Sequence, residues 1–293
     1  MLETALFAVM LSGAVLGADS SRGTFASPTG PSAEATRLLG EALTEIAKPD
    51  ARLDENSKIL IAACHTVVTQ VFQQSLIGEK LATAVEAAKK LPADQAVGQL
   101  KQAASEALDM LQFQPLHEAD LPQGFPTYTP AGTIEVKQYP AYRMALGNGF
   151  WPLFSHIKRN GIAMTAPVQM EYEKNKQGNL GEKSMAFLYG TSNLGAIGKQ
   201  GSVEVVDVQA ETVVATGVRG LRTKDRLNDA HQRLLKWIEA HPDYQAAGPL
   251  RVMGYNSPFV PSNKQFFEMQ IPLKKANLVE DGKEQNEVGA NDR

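Results

Sequence analysis

Residues 134–141 (IEVKQYPA) and residues 203–210 (VEVVDVQA) are two versions of one sequence, placed 69 positions apart. Each copy is followed by the same predicted elements, namely a second strand, an amphipathic helix and two more strands. The chain from residue 133 to residue 273 is therefore predicted to be one duplicated unit with β-β-α-β-β order in each half. Two such halves can share a core, and the cleft between structural halves is a common place for a small ligand.

Residue periodicity supports this order of elements. Ile134, Val136 and Gln138 are predicted to face one side of the first strand, and the residues between them the other side. In residues 150–160 (FWPLFSHIKRN) apolar side chains recur at helical spacing, and the second half has its predicted helix at residues 225–240. The connections are too short for parallel crossovers, so the predicted fold class is α+β. We expect an eight-stranded antiparallel barrel-like sheet with two flanking helices.

The rest of the chain divides by composition. Residues 33–117 are rich in Ala, Leu, Glu, Lys and Gln, which predicts a small all-helical module. Three prolines are expected to break its helices: Pro49, Pro92 and Pro115. The remaining predicted segments are a signal peptide at 1–18, a Ser, Gly, Pro and Thr-rich linker at 19–32, a Pro-rich linker at 118–132 and a polar, disordered tail at 274–293.

The amino terminus predicts export. Residues 5–16 (ALFAVMLSGAVL) form an uncharged apolar run followed by small residues, which is typical of a secretory signal and too short to span a bilayer. Glu3 is the only ionisable side chain before the run, where Lys or Arg is usual. We therefore expect a periplasmic or secreted protein, and the alternative is an ordinary apolar helix in a cytoplasmic one. The single cysteine, Cys64, is predicted to be a buried core thiol.

Composition and motifs exclude several classes of function. A formal net charge of -3 and a pI near 6.0 provide no positive field for nucleic acid, so no nucleic-acid partner is expected. No transmembrane segment is predicted. The motifs of serine hydrolases, zinc proteases, phosphate loops and dinucleotide sites do not occur in the sequence. We therefore expect a protein that is not an enzyme.

Four segments together resemble the SOUL heme-binding protein family. They are residues 134–145 (IEVKQYPAYRMA), 150–157 (FWPLFSHI), 161–168 (GIAMTAPV) and 254–258 (GYNSP), with a strand containing Glu268 after the last. The resemblance covers residues 133–273, about half of the chain, and leaves the helical module unexplained. It implies a SOUL-like heme-binding domain that holds heme or a related tetrapyrrole without a covalent bond, for carriage, buffering or signalling.

The sequence departs from the family at one position that matters for the iron. Some members carry a His, proposed as an iron ligand, just before the Tyr of the opening motif, and this chain has Gln138 there. An amide is a poor heme ligand. Other members lack that His as well and are thought to hold the macrocycle by apolar packing, which is what we expect here. The alternative is a structural or interaction protein whose barrel binds another small amphipathic molecule or none, with the helical module providing contacts to an unknown protein partner.

Candidate ligand contacts follow from the chemistry of heme, which needs apolar walls, cations for its propionates and an iron ligand such as His. His231 is the candidate metal ligand, because it lies on the apolar stripe of the second helix, four residues after Leu227. Its structural alternative is a core His bonded to the backbone. His156 is a candidate across the cleft or, alternatively, part of a solvated helix flank. The other candidates are Met144, Met164, Met170, Trp151, Lys158, Arg159 and Tyr255.

Each of these other candidates also has a structural explanation. The methionines can belong to the barrel core. The two cations at the end of the first helix are favourable for the helix dipole without any ligand. Tyr255 lies in a segment of turn-forming residues and can serve to shape that turn.

Overall fold

The computed structural model of the protein describes residues 23–49 and 52–276. The predicted signal peptide lies outside these residues, as do the first four positions of the first predicted linker and the predicted tail beyond residue 276. Within the described part of the chain, no helix has the length and apolar character needed to cross a membrane.

Four helices form the amino-terminal module: α1 (Pro31–Glu45), α2 (Leu53–Val71), α3 (Leu76–Ala88) and α4 (Ala93–Gln112). The three predicted proline breaks are present between or after these helices. A fourth break, which the sequence analysis missed, separates α2 from α3. There Phe72 has a left-handed φ of 63°, and the Ser75 side chain caps α3 by accepting a hydrogen bond from the Gly78 N–H at 3.0 Å. Cys64 lies in the module core, where burial raises the pKa of its thiol to about 11.

Ten strands and two helices follow. The strands are β1 (Ile134–Tyr139), β2 (Tyr142–Gly147), β3 (Val168–Lys174), β4 (Leu180–Leu188), β5 (Gly198–Gln200), β6 (Val203–Val208), β7 (Glu211–Arg219), β8 (Tyr244–Ala246), β9 (Leu250–Gly254) and β10 (Phe266–Lys275). The helices are α5 (Phe150–Arg159) and α6 (Lys224–Ala240), and a 3-10 turn covers Ser262–Lys264. The eight predicted strands are present. β5 and β8 are additional, and at three residues each they are too short to show an alternating pattern.

The strands form one antiparallel sheet in the order β1-β7-β10-β9-β3-β4-β2-β6-β5, with β8 on β10. Strands β1, β2, β3 and β4 of the first half correspond to β6, β7, β9 and β10 of the second half. When each strand is replaced by its counterpart, the order from β1 to β6 becomes the same order counted from the other end. The predicted duplication is therefore present in the hydrogen bonding. Ile134 lies opposite Thr216 and Leu146 opposite Glu204 in one continuous register, so β1–β2 and β6–β7 form a single ribbon. Strands β1 and β7 of this ribbon lie at one end of the strand order, and β2 and β6 lie near the other end. The sheet is not closed into a barrel.

The two faces of the sheet differ in polarity. On β10, Phe267 and Met269 pack against α6 in an apolar core. The residues that alternate with them, Glu268 and Gln270, are fully buried on the opposite face. Lys137 of β1 is buried on that face as well, at 3.0 Å from Glu268 Oε1. One face of the sheet thus builds the apolar cores under the helices, whereas the other encloses a polar network.

The predicted Pro-rich linker at 118–132 is packed as part of the domain. Tyr128 and Thr129 are buried, and the Thr129 N–H donates to Glu268 Oε1 at 2.6 Å. Gly217 of β7 lies so close to this segment that a Cβ there would be 2.1 Å from the Thr129 carbonyl oxygen, which explains a glycine in that strand. At the other end, β10 continues to Lys275 and pairs with β8, so Lys274 and Lys275 belong to the sheet and not to a disordered tail.

Candidate functional site

A cavity of about 230 Å³ lies between α5, the start of β3 and the segments that follow β9. Three stretches of chain supply most of its wall: α5, residues 161–168, and residues 254–258. We call residues 161–167 the motif loop and residues 254–258 the GYNSP loop. Most of the lining side chains are apolar or aromatic: Ala119, Phe150, Phe154, Met164, Ala166, Val168, Met170, Met185, Tyr255 and Pro258.

Helix α5 divides its apolar residues between the sheet and the cavity. Leu153 and Ile157 are buried against β2, β4 and β6. Phe150 and Phe154 are only half-buried, and their rings stack at 5.5 Å with an interplanar angle of 16° along the cavity wall. The stripe predicted from helical spacing therefore has two functions, since one side holds the helix to the sheet and the other forms an aromatic wall.

The motif loop is held by hydrogen bonds on both sides. The Thr165 hydroxyl donates to the Leu188 carbonyl at the end of β4, at 2.6 Å. The Ala166 N–H donates to the Asp120 carbonyl at 2.9 Å, and the Ala166–Pro167 peptide is cis. These contacts fix the loop against the sheet and against the linker, and they place the Met164 side chain in the cavity wall.

The GYNSP loop forms the opposite wall, and its glycine lies close to two side chains. A Cβ on Gly254 would lie 3.1 Å from the Met170 Cε and 3.1 Å from the Arg222 Nη1, closer than ordinary contacts. Ser257 binds the linker, because its N–H and hydroxyl donate to the two carboxylate oxygens of Glu118 at 2.7 and 2.8 Å. The linker thus closes one side of the cavity.

Tyr255 presents its ring to the cavity and its hydroxyl to the buried polar network. The hydroxyl donates to Glu268 Oε1 at 3.0 Å. Burial, followed by the neighbouring Glu268 carboxylate, raises the pKa of Tyr255 well above its usual value, so the phenol stays protonated and remains a donor. Lys137 and Gln270 also donate to Glu268, at 3.0 and 2.7 Å. The phenol oxygen of Tyr255 is therefore already occupied, so Tyr255 can contribute to the cavity wall only through its ring.

Three of the nine candidate site residues line the cavity: Met164, Met170 and Tyr255. The other six do not. Met144 lies on β2, where its sulfur accepts a hydrogen bond from Gln169 Nε2 at 3.8 Å. Trp151 packs edge-on against Phe150 at 5.3 Å. Lys158 and Arg159 are exposed at the end of α5, with the Lys158 ammonium 6.0 Å from the Phe154 ring centre.

Neither of the two candidate histidines lines the cavity. His156 is buried, and the expectation of a solvated flank was wrong because the Tyr189 hydroxyl lies 2.7 Å from its Nε2. Burial and then Arg159 lower the pKa of His156. His231 is half-buried beside the stripe formed by Leu227 and Leu234. Burial and then Lys174 lower its pKa as well.

Sequence reasoning missed several residues of the cavity. Met185 and Ala119 lie in segments without a motif, and Arg222 lies in the short connection between β7 and α6. No local pattern distinguishes such positions, since only the packing of distant segments brings them together. Phe150 and Phe154 could have been identified, because their spacing on an amphipathic helix was visible.

The cavity fits part of a tetrapyrrole but not iron ligation by histidine. Its apolar and aromatic walls suit the edge of a macrocycle. No histidine occurs among its lining residues within the described chain. Gln138, at the family's histidine position, is exposed on β1 and accepts a hydrogen bond from the Thr212 hydroxyl at 3.1 Å. The thioethers of Met164, Met170 and Met185 are the lining groups that could approach an iron.

Several solved structures match this chain at low similarity. The C-terminal domain of EcmrR is 18% identical, covers 49% of this chain and 98% of its own, and has a TM-score of 0.38. EcmrR in its complex with DNA is 16% identical, covers 83% of this chain and 81% of its own, and has a TM-score of 0.41. A hydrolase from Listeria innocua is 10% identical, and the match covers 50% of this chain and 94% of the hydrolase, with a TM-score of 0.37. At these values the similarities support no conclusion about this chain.

No curated protein matches the sequence. The sequence model of the SOUL heme-binding protein family matches residues 111–271, which is more than half of the 293 residues. The match begins before β1 and includes the packed linker that closes the cavity. It also contains both copies of the repeat, the motif loop and the GYNSP loop. On this evidence the chain belongs to the SOUL heme-binding protein family.

Proposed function

We propose that the protein binds heme or a related tetrapyrrole without a covalent bond, as a carrier or buffer and not as an enzyme, with the ligand held mainly by apolar packing in the cavity. One observation carries the proposal. The segments that resemble the family outside the opening strands, namely α5, the motif loop and the GYNSP loop, are the segments that wall the cavity. The segments that resemble the heme-binding family and the walls of the apolar cavity are thus the same residues, which supports the cavity as the ligand site.

The size of the cavity favours partial insertion of the ligand. Ligand pockets usually enclose about 300–1,000 Å³, and this one encloses about 230 Å³. A macrocycle would therefore insert one apolar edge between Phe154 and the GYNSP loop. Its polar groups would remain at the rim, where Pro258 and Arg222 are exposed.

Iron is not expected to dominate the affinity. The candidate metal ligand His231 is not in the cavity wall, and Gln138 stands where some family members have a histidine. We expect iron-free protoporphyrin to bind within about threefold of hemin, because packing and not coordination supplies the free energy. A loss of tenfold or more without iron would contradict this part of the proposal.

A spectroscopic titration with hemin tests the proposal. We expect a saturable, one-to-one shift of the Soret band for the full chain. Ala119→Trp adds a large side chain to the cavity wall and should abolish the shift. The matched control is Leu53→Trp, which adds the same side chain at an exposed position on α2. Spectra that do not saturate, or equal binding by Ala119→Trp, would reject the proposal and favour a structural or interaction protein.

We also propose that the protein is exported, which rests on the apolar run at residues 5–16. Expression of the full sequence in a bacterial host, followed by amino-terminal sequencing of the periplasmic fraction, tests this. Cleavage near residues 18–20 is expected. An intact chain found only in the cytoplasm would contradict it.

A further inference from the structure

Arg222 lies at the exposed rim of the cavity and has an unusual set of partners. It occupies the connection between β7 and α6, just before the Ser/Thr-type cap that Thr223 gives to α6. Its Nη1 contacts the sulfur of Met170, and this is the one hydrogen bond of its side chain within residues 23–49 and 52–276. A thioether is a weak acceptor, whereas a guanidinium is suited to carboxylate oxygens.

Neighbouring arginines of the same half are paired with carboxylates. Arg219 lies 2.8 Å from Asp109, and Arg251 lies 2.6 Å from Glu211. No Asp or Glu oxygen of the described residues lies within 4.0 Å of the Arg222 guanidinium. Burial raises the pKa of Glu182, and the positive charge of Arg222 partly opposes this rise. The two side chains nevertheless do not form an ion pair.

The other charged residue of the cavity does not neutralise Arg222. Both carboxylate oxygens of Glu118 accept hydrogen bonds from Ser257, which holds this carboxylate against the GYNSP loop. Among the residues that the structure describes, the cavity therefore combines apolar walls with a single cation whose guanidinium has no carboxylate partner. The two cations predicted from the sequence to bind propionates, Lys158 and Arg159, are not part of the lining.

We propose that Arg222 binds the anionic group of the cavity ligand, and that the site selects apolar molecules carrying a carboxylate or a similar anion over neutral ones. The proposal rests on the cavity being the ligand site, as proposed above, but not on the ligand being a tetrapyrrole. For a tetrapyrrole inserted by one edge, the anion is a propionate at the rim. For another apolar acid, the same guanidinium would take its head group.

The first test uses two fluorescent probes that differ in one anion, anilinonaphthalene sulfonate and the neutral phenylnaphthylamine. Arg222→Gln should weaken binding of the sulfonate about tenfold, the size expected for loss of one charge-assisted hydrogen-bonded pair. Binding of the neutral probe should stay within about twofold, since the apolar walls are unchanged. Arg222→Lys should recover part of the sulfonate affinity. The control is Lys224→Gln, which removes a nearby cation outside the cavity wall.

The second test compares protoporphyrin with its dimethyl ester, which has no carboxylates. The wild-type chain should bind the acid more tightly, and Arg222→Gln should remove that preference. If neither porphyrin binds but the sulfonate still depends on Arg222, the tetrapyrrole assignment fails and the anion site stands. If porphyrins bind but Arg222→Gln leaves both comparisons unchanged, the anion site is wrong and the tetrapyrrole assignment stands. If the wild-type chain binds none of the four compounds, both proposals are rejected.

Discussion

The two halves of the duplicated domain have equivalent strands but unequal helices. Helix α6 has 17 residues and α5 has 10, so α6 is about 10 Å longer at 1.5 Å per residue. Under α6, Leu234 and Trp237 are fully buried in a core that runs across β7, β9 and β10. Beside α5, the aromatic rings of Phe150 and Phe154 are half-exposed to a cavity. The two halves thus have similar strand arrangements but differ in helix length and side chains. The core under α6 is fully packed, whereas a cavity lies beside α5.

The helical module explains why the α6 half is closed. Phe72 from the end of α2 packs edge-on against Trp237 at 5.7 Å. Arg233 of α6 forms an ion pair with Glu79 of α3, and the Ile77 N–H donates to the Gly132 carbonyl at 2.9 Å. The module therefore packs on the second half and the linker. This gives it a structural role, and no residue of its four helices lines the cavity beside α5.

The largest effect is expected from emptying the filled half. Trp237→Ala should lower the free energy of unfolding by about 3–5 kcal/mol, because it removes a large, fully buried side chain. Urea denaturation followed by circular dichroism measures the change. The remaining folded protein should still bind the neutral probe. A loss below about 1 kcal/mol would mean that the α6 half is not the tightly packed one.

Truncation of an aromatic side chain to Ala on α5 should have a small effect on stability and a large effect on hemin binding. Phe154→Ala should cost only about 1–2 kcal/mol of stability, since the ring is half-exposed. It should weaken hemin binding at least about tenfold, because half of the stacked aromatic pair in the wall is lost. Titrations of this variant and of Trp237→Ala under one set of conditions provide the comparison. Equal hemin affinity of Phe154→Ala and the wild-type chain would contradict the site.

A smaller effect is expected from pH, through the buried His156 of α5. Its pKa is lowered in the folded state, so the unfolded state binds its proton at higher pH, near 6.5. Stability from this group is therefore complete above about pH 6.5, decreases as the pH falls below that value, and levels off below the folded pKa. Urea midpoints between pH 7 and pH 4 should show a smaller decrease for His156→Gln than for the wild-type chain. An identical decrease would assign the pH dependence to other groups.

The smallest effect is expected from His231→Ala. The side chain is half-buried on α6 and does not line the cavity, so hemin affinity should remain within about twofold and stability within about 1 kcal/mol of the wild-type values. Absorption titration and urea denaturation measure the two quantities. A large loss of hemin affinity, with protoporphyrin affinity unchanged, would restore His231 as the iron ligand.

Much of the frame could be predicted from local patterns. The repeat at residues 134 and 203 identified both halves, and the order of elements predicted for each half placed eight strands correctly. The short strands β5 and β8 were missed because three residues carry no periodic signal. The break at Phe72 was missed for a different reason, since neither Gly nor Pro marks it.

The functional residues were harder to predict than the frame. Met164, Met170 and Tyr255 were found because they belong to segments that resemble the family. Arg222 and Ala119 have no such signal. His156 and His231 were chosen for their ability to ligate iron, but helix geometry directs one to Tyr189 and the other to the side of α6.

The sequence by itself determined the duplication, the order of strands and helices, and the family, because these are properties of spacing along the chain. Only the tertiary structure decided that the cavity lies beside α5 and is lined from both halves. It also decided that a polar network including Lys137 and Glu268 fills the other face of the sheet, and that Arg222 is the cation at the rim. The reason is that each of these depends on contacts between residues tens to more than a hundred positions apart. Local periodicity determines on which face of a helix or strand a side chain lies. Only tertiary packing determines which other residues contact that face.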